Sequence, residues 1–336
     1  MKKIKLFCLG VAMVASVATV SSLGTIDAKA ATTITVNAGG NLSSALSKAK
    51  NGDTILVNGT VKSGSLNIPA GITLKGNGKM AKIDFAGTKT GARGLTVNTN
   101  GSTIQDLEIC NAGDNGIYVQ GSSNKFINLN VHDNGDAGVQ ISNGGANNYL
   151  KKVYSHNNAD VPTKGENADG FAIKLHSGVG NVLEDCVAEN NTDDGYDLYA
   201  AHGAVTFINC QANNNGATIK GVSGDGNGFK LGGADNKTPG QAAHLDPWAH
   251  KLTNCSAKGN KKNGFDRNNQ NGVVTMDGCT GDSNRGLNYN WPKTIKPSAL
   301  GGKTIVCPNV IIKNSKSING KNNISGATVT NSPTIK

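Results

Sequence analysis

The sequence predicts an all-β chain that folds as a parallel β-helix, a solenoid of short stacked coils. Glycine accounts for 45 of the 336 residues, aromatic residues for only 4% of them, and long helical patterns are missing. A motif that opens with glycine also recurs from Gly116 to Gly286, at intervals of about 22 residues or of 22 plus an insertion. A coil of this length cannot bury its apolar side alone, whereas stacked coils share one core.

The first 30 residues have the pattern of a secretory signal peptide. Lysines at positions 2, 3 and 5 precede an apolar run at 6–20, and Ala28-Lys29-Ala30 forms a small-x-small cleavage site. We therefore expect residues 31–336 to form a single exported domain, extracellular and without a stable membrane association. Removal of residues 1–30 lowers the formal net charge from +10 to +7. A basic exported chain suits an acidic partner, although charge alone does not distinguish a polysaccharide from a lipid surface or a nucleic acid.

The ends of the solenoid have their own signals. The segment NLSSALSKAK at 41–50 predicts a short amphipathic helix that caps the N-terminal end of the stack. GDTILVNGTV and GSLNIPAGITLKGNG follow it and are typical of the first, irregular coils. TIVCPNVIIKNSKSINGKNN, after Pro292, predicts one last coil.

Each repeat begins with a strand in which inward and outward positions alternate. The positions one and three residues after the glycine should face inward: Ile117, Val139, Phe171, Tyr196, Phe229, Phe265 and Leu287, then Val119, Ile141, Ile173, Leu198, Leu231, Arg267 and Tyr289. The position between them should face outward: Tyr118, Gln140, Ala172, Asp197, Lys230, Asp266 and Asn288.

Two further columns indicate stacking. The repeats end in asparagine, at Asn134, Asn158, Asn191, Asn215, Asn260 and Asn284. Asparagine tolerates the left-handed backbone of a tight bend, and stacked amides can hydrogen-bond from coil to coil. Cysteines share one strand end, at Cys186, Cys210, Cys255 and Cys279. We interpret them as buried thiols, with disulfides as the alternative that export allows.

Aspartates gather at the start of two neighbouring repeats. Asp169 precedes the leading glycine Gly170, and Asp194 precedes the next leading glycine, Gly195. Asp193 and Asp197 lie two residues before and two residues after Gly195. Since adjacent parallel strands lie about 4.7–4.9 Å apart, the four carboxylates should converge, with no basic residue among them. A hard cation would offset their mutual repulsion, and Ca²⁺ accepts several carboxylate oxygens. The alternative is a solvated acidic turn.

Lys230 occupies the column of Asp197 one coil further along, so its amine should project beside the aspartates. It is either an electrostatic partner of the carboxylates or a catalytic base. A bound Ca²⁺ would lower the pKa of the lysine, and the neutral amine could then remove a proton α to a substrate carboxylate. The cation would acidify that C–H bond and stabilise the enolate-like intermediate.

The motifs NADGFAIKL, NNTDDGYDLY, GDGNGFKLGG and GFDRN, in this order, make the chain resemble the pectate lyases of polysaccharide lyase family 9. The resemblance covers roughly Asp106 to Pro292. It implies an exported right-handed parallel β-helix that cleaves polygalacturonate, or pectin, by β-elimination. It further implies Asp169, Asp193, Asp194 and Asp197 as calcium ligands, and Lys230 as the base that takes the C5 proton. The expected partner is thus an acidic polysaccharide rather than nucleic acid, and a capped solenoid has no obvious need of a second copy.

Several residues and two rival functions stay open. Arg267 breaks an apolar column, so a bulge could turn it toward the groove to bind a substrate carboxylate. His244, Asp246 and Trp248, in an inserted loop, are weaker candidates for the same groove, and His202 has no evident partner.

The two rival functions are a polygalacturonase-like hydrolase that uses Asp197 and Asp266 as its carboxylate pair, and a β-helix that binds polysaccharide without catalysis.

Overall fold

Each repeat forms one coil and supplies one short strand to a ten-stranded parallel sheet. The computed structural model describes residues 30–336. The strands of this sheet stack in chain order: Leu66–Asn67, Leu95–Val97, Ile117–Val119, Val139–Ile141, Phe171–Ile173, Tyr196–Asp197, Phe229–Lys230, Phe265–Asp266, Leu287–Asn290 and Lys321–Asn323. The predicted parallel β-helix is therefore confirmed.

The rest of each coil belongs to a nineteen-stranded parallel sheet. Its strands are Thr33–Val36, Thr54–Val57, Thr60–Lys62, Thr73–Gly76, Ala81–Asp84, Thr103–Cys110, Lys125–His132, Tyr149–His156, Asn181–Glu184, Val187–Glu189, Val205–Ile208, Gln211–Asn213, Lys251–Thr253, Ser256–Lys258, Thr275–Asp277, Thr280–Asp282, Val310–Lys313, Lys316–Ile318 and Ala327–Thr330. A left-handed residue bends each coil within this sheet, for example Asn128 (φ 51°) and Asp185 (φ 55°). Asparagine and aspartate tolerate this backbone better than most residues do.

Few elements lie outside the two sheets. The predicted N-terminal helix spans Leu42–Lys48, and the side chain of Asn41 caps it by accepting a hydrogen bond from Ser44 N at 2.8 Å. Its apolar face joins the core. The remaining elements are an antiparallel pair Ala234–Asp235 with His244–Leu245, a second pair Thr294–Ile295 with Ile305–Val306, and a 3₁₀ turn at Ser298–Leu300.

Aromatic rings stack along the inner side of the ten-stranded sheet. The rings of Phe171, Tyr196, Phe229, Phe265 and Tyr289 follow one another with centroids 4.5–5.1 Å apart. The sequence has few aromatic residues, yet a large share of them fills this single column, where offset stacking adds to the burial of apolar surface. Although aromatic residues are only 4% of the chain, they therefore form a continuous column inside the core.

The asparagine column forms a buried ladder of amides. Asn191 Nδ2, for example, donates to Asn215 Oδ1 at 2.9 Å, and Asn215 Nδ2 donates to Asn260 Oδ1 at 3.0 Å. The ladder is confirmed, but the proposed reason for asparagine is wrong. The left-handed residue is the one that precedes each ladder position, such as Asn190 (φ 52°) or Asn214 (φ 53°).

The leading glycines lie where two coils approach most closely. A Cβ atom on Gly195 would lie 2.6 Å from the carbonyl oxygen of Gly228 and 2.9 Å from Asn215 Nδ2. These separations are too short for non-bonded atoms, so close approach, rather than a left-handed backbone, requires glycine here.

The structure corrects the prediction at the C-terminal end. Tyr289, not Leu287, pairs with Phe265. The same strand is irregular between Leu287 and Tyr289 where it pairs with Lys321–Asn323. Asn288, expected to face outward, is buried and accepts the last amide of the ladder from Asn284 at 2.8 Å. The strand Ala327–Thr330 also adds one more layer beyond the predicted last coil.

The six cysteines of residues 30–336 are buried and unpaired, which agrees with the buried-thiol interpretation. Within the same residues, no helix combines the length and the hydropathy needed to cross a bilayer. The predicted signal peptide lies outside the described residues, except for Ala30.

Candidate functional site

The outward column of the ten-stranded sheet brings the main candidate residues together. Ala172 pairs with Asp197, Asp197 with Lys230, and Lys230 with Asp266, in three successive strand pairings. The leading Gly170 donates its backbone N–H to Asp194 O at 3.0 Å, so the residue before one glycine stacks on the residue before the next. The shared columns inferred from the sequence are therefore present.

Three aspartates of this region form a compact carboxylate cluster. Asp169, Asp194 and Asp197 each offer an oxygen, and these oxygens lie within 4.8 Å of one another. All three side chains are buried. Asp169 Oδ1 accepts the backbone N–H of Asp194 at 3.2 Å, and Asp194 Oδ1 accepts two hydrogen bonds from Asn227, at 2.6 and 2.8 Å. These contacts fix the orientation of the carboxylates.

Asp193, the fourth predicted ligand, lies beside this cluster but outside the group of three. Its Oδ1 accepts the backbone N–H of Asp225 at 2.9 Å, and its side chain is 1% exposed. Burial and the neighbouring charges of Asp194 and Asp169 raise its pKa to about 10. The carboxyl group therefore holds a proton at neutral pH as long as no cation is bound.

Lys174 is a site residue that the sequence interpretation missed. Its Nζ lies 2.6 Å from Asp169 Oδ2 and 3.1 Å from Asp197 Oδ2, with hydrogen-bond geometry to both. The expectation that no basic residue lies among the aspartates is therefore wrong. The signal was available, because Lys174 stands two residues after outward-facing Ala172 and the same alternation turns it outward.

Lys230 reaches the cluster from the next coil. Its Nζ lies 3.0 Å from Asp194 Oδ2 and 3.6 Å from Asp197 Oδ2, and its side chain is 16% exposed. The contact with Asp194 is an ion pair without hydrogen-bond geometry, so within residues 30–336 the buried Asp194 Oδ2 accepts no hydrogen bond. Burial alone would lower the pKa of Lys230, but the carboxylates outweigh it and raise the pKa well above its usual value.

The donor set of this site fits a calcium ion. Asp169, Asp194 and Asp197 face the ammonium groups of Lys174 and Lys230, which leaves a formal charge of −1 when all five groups are ionised. Burial raises the pKa of Asp169 and of Asp194, whereas the two lysines outweigh burial and lower that of Asp197. The buried Asp194 Oδ2, which an ion pair with Lys230 contacts without a hydrogen bond, and the all-oxygen donor set suit a hard divalent cation. The residues that would hold it are Asp169, Asp194 and Asp197, with Asp193 at their edge.

Arg267 does not face the groove. Its side chain is 1% exposed, and its guanidinium donates to the carbonyl oxygens of Gln270, Pro308 and Gly326 at 2.8, 3.2 and 3.0 Å. The guanidinium carbon also lies 5.3 Å from the ring centroid of Trp291. The predicted bulge is absent, since the alternation places Arg267 inward and buried carbonyl groups satisfy its charge. We therefore leave Arg267 out of the proposed site.

The inserted loop lies at the same end of the sheet as Tyr199. His244 belongs to the antiparallel pair of that loop, and the hydroxyl of Tyr199 donates to Asn236 Oδ1 at 2.7 Å. The backbone N–H of Tyr199 donates to Asp197 Oδ1 at 3.0 Å, which links the loop to the carboxylate cluster. That His244, Asp246 and Trp248 line a substrate groove stays a prediction. His202 does have a partner, Asp235 Oδ2, at 3.0 Å.

Comparison with known proteins identifies the family. A family model described as the Pel9A-like right-handed β-helix region matches residues 22–319. The chain belongs to this family. The resemblance to the pectate lyases of polysaccharide lyase family 9 is thereby confirmed, as is the right-handed sense of the helix.

Individual relatives agree with this assignment. The chain is 37% identical over 230 residues to pectate lyase L of Paenibacillus polymyxa strain SC2, which covers 63% of this chain and 49% of that protein. It is 34% identical over 219 residues to pectate lyase L of Dickeya chrysanthemi, covering 64% of this chain and 48% of that one. The chain thus spans about half the length of the curated relatives it matches.

Solved structures extend the likeness to nearly the whole chain. The crystal structure of pectate lyase Pel9A superposes with a TM-score of 0.77 and 28% identity, covering 90% of this chain and 79% of that one. A rhamnogalacturonan lyase superposes with a TM-score of 0.69 over 86% of this chain and 79% of that one. At 23% identity, the second likeness concerns the fold alone.

Proposed function

We propose that this chain is an exported, calcium-dependent pectate lyase that cleaves polygalacturonate by β-elimination, with Lys230 as the base. The observation that carries the proposal is the pairing of Lys230 with Asp197 in adjacent strands, which places a lysine amine at the edge of a buried carboxylate cluster. The relatives named above are pectate lyases, which supports the same activity here. We further propose that the protein acts as a monomer, with residues 31–336 as its catalytic domain.

Lys230 suits the role of base better than Lys174 does. Two hydrogen bonds to carboxylates hold Lys174, whose side chain is 9% exposed. Lys230 is more exposed and makes ion pairs only, so it can leave the carboxylates and face a substrate. An amine must also lose its proton before it can act as a base.

The chain's residues divide the work of the elimination. Asp169, Asp193, Asp194 and Asp197 would hold the cation, and Asn227 and Lys174 orient Asp194 and Asp169. Bound calcium would withdraw charge from the substrate carboxylate and make the adjacent C5 proton more acidic. Neutral Lys230 Nζ takes this proton, the electrons of the C–H bond form the C4–C5 double bond, and the C4–O4 bond breaks. The departing oxygen receives a proton from water, and the hydroxide so formed takes the proton from the Lys230 ammonium, which restores the neutral amine.

The hydrolase alternative receives less support from the geometry. Both oxygens of Asp266 already accept hydrogen bonds, Oδ1 from the amides of Asn263 and Asn290 and Oδ2 from the backbone N–H of Asn268. Lys230 also occupies the column between Asp197 and Asp266. A general acid must present its proton to the leaving group, whereas other donors of the chain already contact both oxygens of Asp266.

The test is the ultraviolet absorbance of the product from polygalacturonate. We expect the chromophore of a 4,5-unsaturated uronide in the presence of Ca²⁺, and its disappearance after chelation. Asp194→Ala should abolish the signal at low calcium while the fold persists, because the carboxylate lies outside the apolar core. New reducing ends without the chromophore would indicate a hydrolase, and binding without either product would indicate a non-catalytic protein. Full activity of Asp194→Ala in the presence of chelator would refute the metal assignment.

A further inference from the structure

A second cluster of ionisable side chains lies outside the proposed catalytic residues. Three of the six histidines point at one carboxylate oxygen, Asp235 Oδ2, with their Nε2 atoms at 3.0 Å (His202), 3.2 Å (His176) and 3.7 Å (His244). The side chain of Asp235 is fully buried. Half of the protein's six histidines thus direct a ring nitrogen at one oxygen atom, Asp235 Oδ2. Solvation of separate surface residues does not explain this convergence.

The side chain of Asp246 completes this cluster. Its Oδ2 lies 3.6 Å from His244 Nε2 and 3.8 Å from His202 Nε2. The oxygen is buried and has no hydrogen-bond partner among the described residues. A buried carboxylate oxygen without a donor is costly unless a cation satisfies it. One ligand atom each from His202, Asp235, His244 and Asp246 therefore forms a group in which all four lie within 4.8 Å of one another.

Strand pairing and hydrogen bonds within the chain hold three of these residues, Asp235, His244 and His202, in place. Asp235 and His244 face each other in the antiparallel pair of the inserted loop. His202 belongs to the turn that follows the strand Tyr196–Asp197, and its backbone N–H donates to Ser177 O at 2.9 Å. Asp235 is oriented further by Lys237 N, at 2.7 Å, and by the hydroxyl of Thr238, at 2.6 Å. Supporting hydrogen bonds of this kind are typical of metal ligands.

We propose that His202, Asp235, His244 and Asp246 bind one divalent transition-metal ion of the Zn²⁺ class. Zn²⁺ bound tetrahedrally at 2.0–2.1 Å has ligand atoms roughly 3.3 Å apart. The four separations between these imidazole nitrogens and carboxylate oxygens, 3.0, 3.6, 3.7 and 3.8 Å, bracket that value. Two nitrogen and two oxygen donors suit Zn²⁺ or a similar ion, whereas Ca²⁺ takes oxygen ligands. The site is thus chemically distinct from the carboxylate cluster.

The ion would fasten the inserted loop to the coil that carries Asp197. His202 comes from that coil, while the other three ligands belong to the loop 234–246. The same loop contacts Tyr199 through Asn236, and Tyr199 N in turn holds Asp197 Oδ1. The metal would therefore stabilise one wall beside the catalytic cluster. This inference does not depend on the lyase activity, because it rests on different residues.

The experiment measures metal binding by the full chain, stripped with a chelator and then kept in excess CaCl₂ so that hard-cation sites are filled. We expect one Zn²⁺ per chain by titration calorimetry. We also expect Co²⁺ to give the intense visible bands of a tetrahedral ion, which Zn²⁺ then abolishes. His244→Ala and Asp246→Asn should each weaken Zn²⁺ binding by about 100-fold or more, since even the loss of a supporting group costs about 10–100-fold.

His132→Ala is the matched control, because His132 belongs to a separate group with Glu108 and Cys110. Its Zn²⁺ binding should equal that of the wild type, and loss of binding in this variant would place the ion elsewhere and overturn the proposal. Absence of a 1:1 Zn²⁺ complex, or unchanged affinity in Asp246→Asn, would overturn it as well. Asp246→Asn keeps the size of the side chain, and circular dichroism verifies that each variant is folded. None of these readouts uses polysaccharide, so they stay independent of the activity assay.

Discussion

The most quantitative prediction concerns His250, a histidine in the core. His250 is 1% exposed, and its Nδ1 accepts the backbone N–H of Val205 at 3.1 Å. Asparagines do the same at this position in earlier coils, where Asn148 Oδ1 accepts Asn124 N and Asn181 Oδ1 accepts Asn148 N. His250 thus takes the place of an asparagine in a second buried ladder. A protonated imidazole could not accept this hydrogen bond.

Burial lowers the pKa of His250 from 6.5 to about 3. The unfolded chain binds a proton below about pH 6.5, whereas the folded chain excludes it. The contribution of neutral His250 to stability is therefore fully present above pH 6.5 and is lost as the pH falls toward 3. Lowering the pH from 7.5 to 5 should therefore reduce the free energy of unfolding by about 2 kcal/mol, at 1.36 kcal/mol per pKa unit.

His250→Asn should remove this acid sensitivity. Asparagine offers the same acceptor and does not titrate, so we expect a free energy of unfolding similar to that of the wild type at pH 7.5. Between pH 7.5 and 5.0 the variant should lose about 2 kcal/mol less than the wild type. Guanidinium unfolding at both pH values, followed by circular dichroism, measures the difference. Equal losses in the two proteins would refute the assignment of His250 as a buried neutral acceptor.

Three further outcomes test the site. Without calcium, Lys174→Met should lower the free energy of unfolding by about 3–5 kcal/mol, because the buried ion pairs with Asp169 and Asp197 are broken. Calcium should then stabilise the variant more than the wild type, and equal stabilisation of the two proteins in thermal melts would contradict this. The turnover number should rise toward alkaline pH as the Lys230 ammonium loses its proton, whereas an optimum at about pH 5 would favour a carboxylic acid catalyst. Arg267→Ala should destabilise the protein by several kcal/mol, since the buried carbonyls of Gln270 and Gly326 lose their donor at about 1–3 kcal/mol each. KM should stay unchanged, and a selective rise in KM would return Arg267 to the groove.

Period and register explain how much of the fold the sequence predicts. A repeat of about 22 residues sets the stacking, and alternation within each strand then assigns inward and outward positions. The shared column of Asp197 and Lys230 follows from these two rules alone. The rules fail at Leu287, because Phe265 pairs with Tyr289, two positions later than the alternation predicts.

Contacts between distant segments explain what the sequence does not predict. Arg267 was expected to turn outward because a buried guanidinium is costly, but Pro308 and Gly326, 41 and 59 residues away, supply carbonyl oxygens for it. The cluster around Asp235 combines His202 with an inserted loop, and insertions have no repeat register that would align them with a coil. Lys174 differs from these cases, since the alternation itself would have placed it beside the aspartates.

The central claim is that Lys230 takes the C5 proton, and Lys230→Arg tests it most directly. Arginine keeps a positive charge beside Asp197 but remains protonated at working pH. We expect turnover on polygalacturonate to fall by about 10²–10⁴-fold, with little change in calcium affinity by titration calorimetry. Lys262→Arg is the matched control, because Lys262 forms a more exposed ion pair with Asp225 at 2.8 Å and should keep full activity. A Lys230→Arg variant that retains more than about a tenth of the wild-type turnover would contradict the lysine base, since the loss of a positioned base costs more.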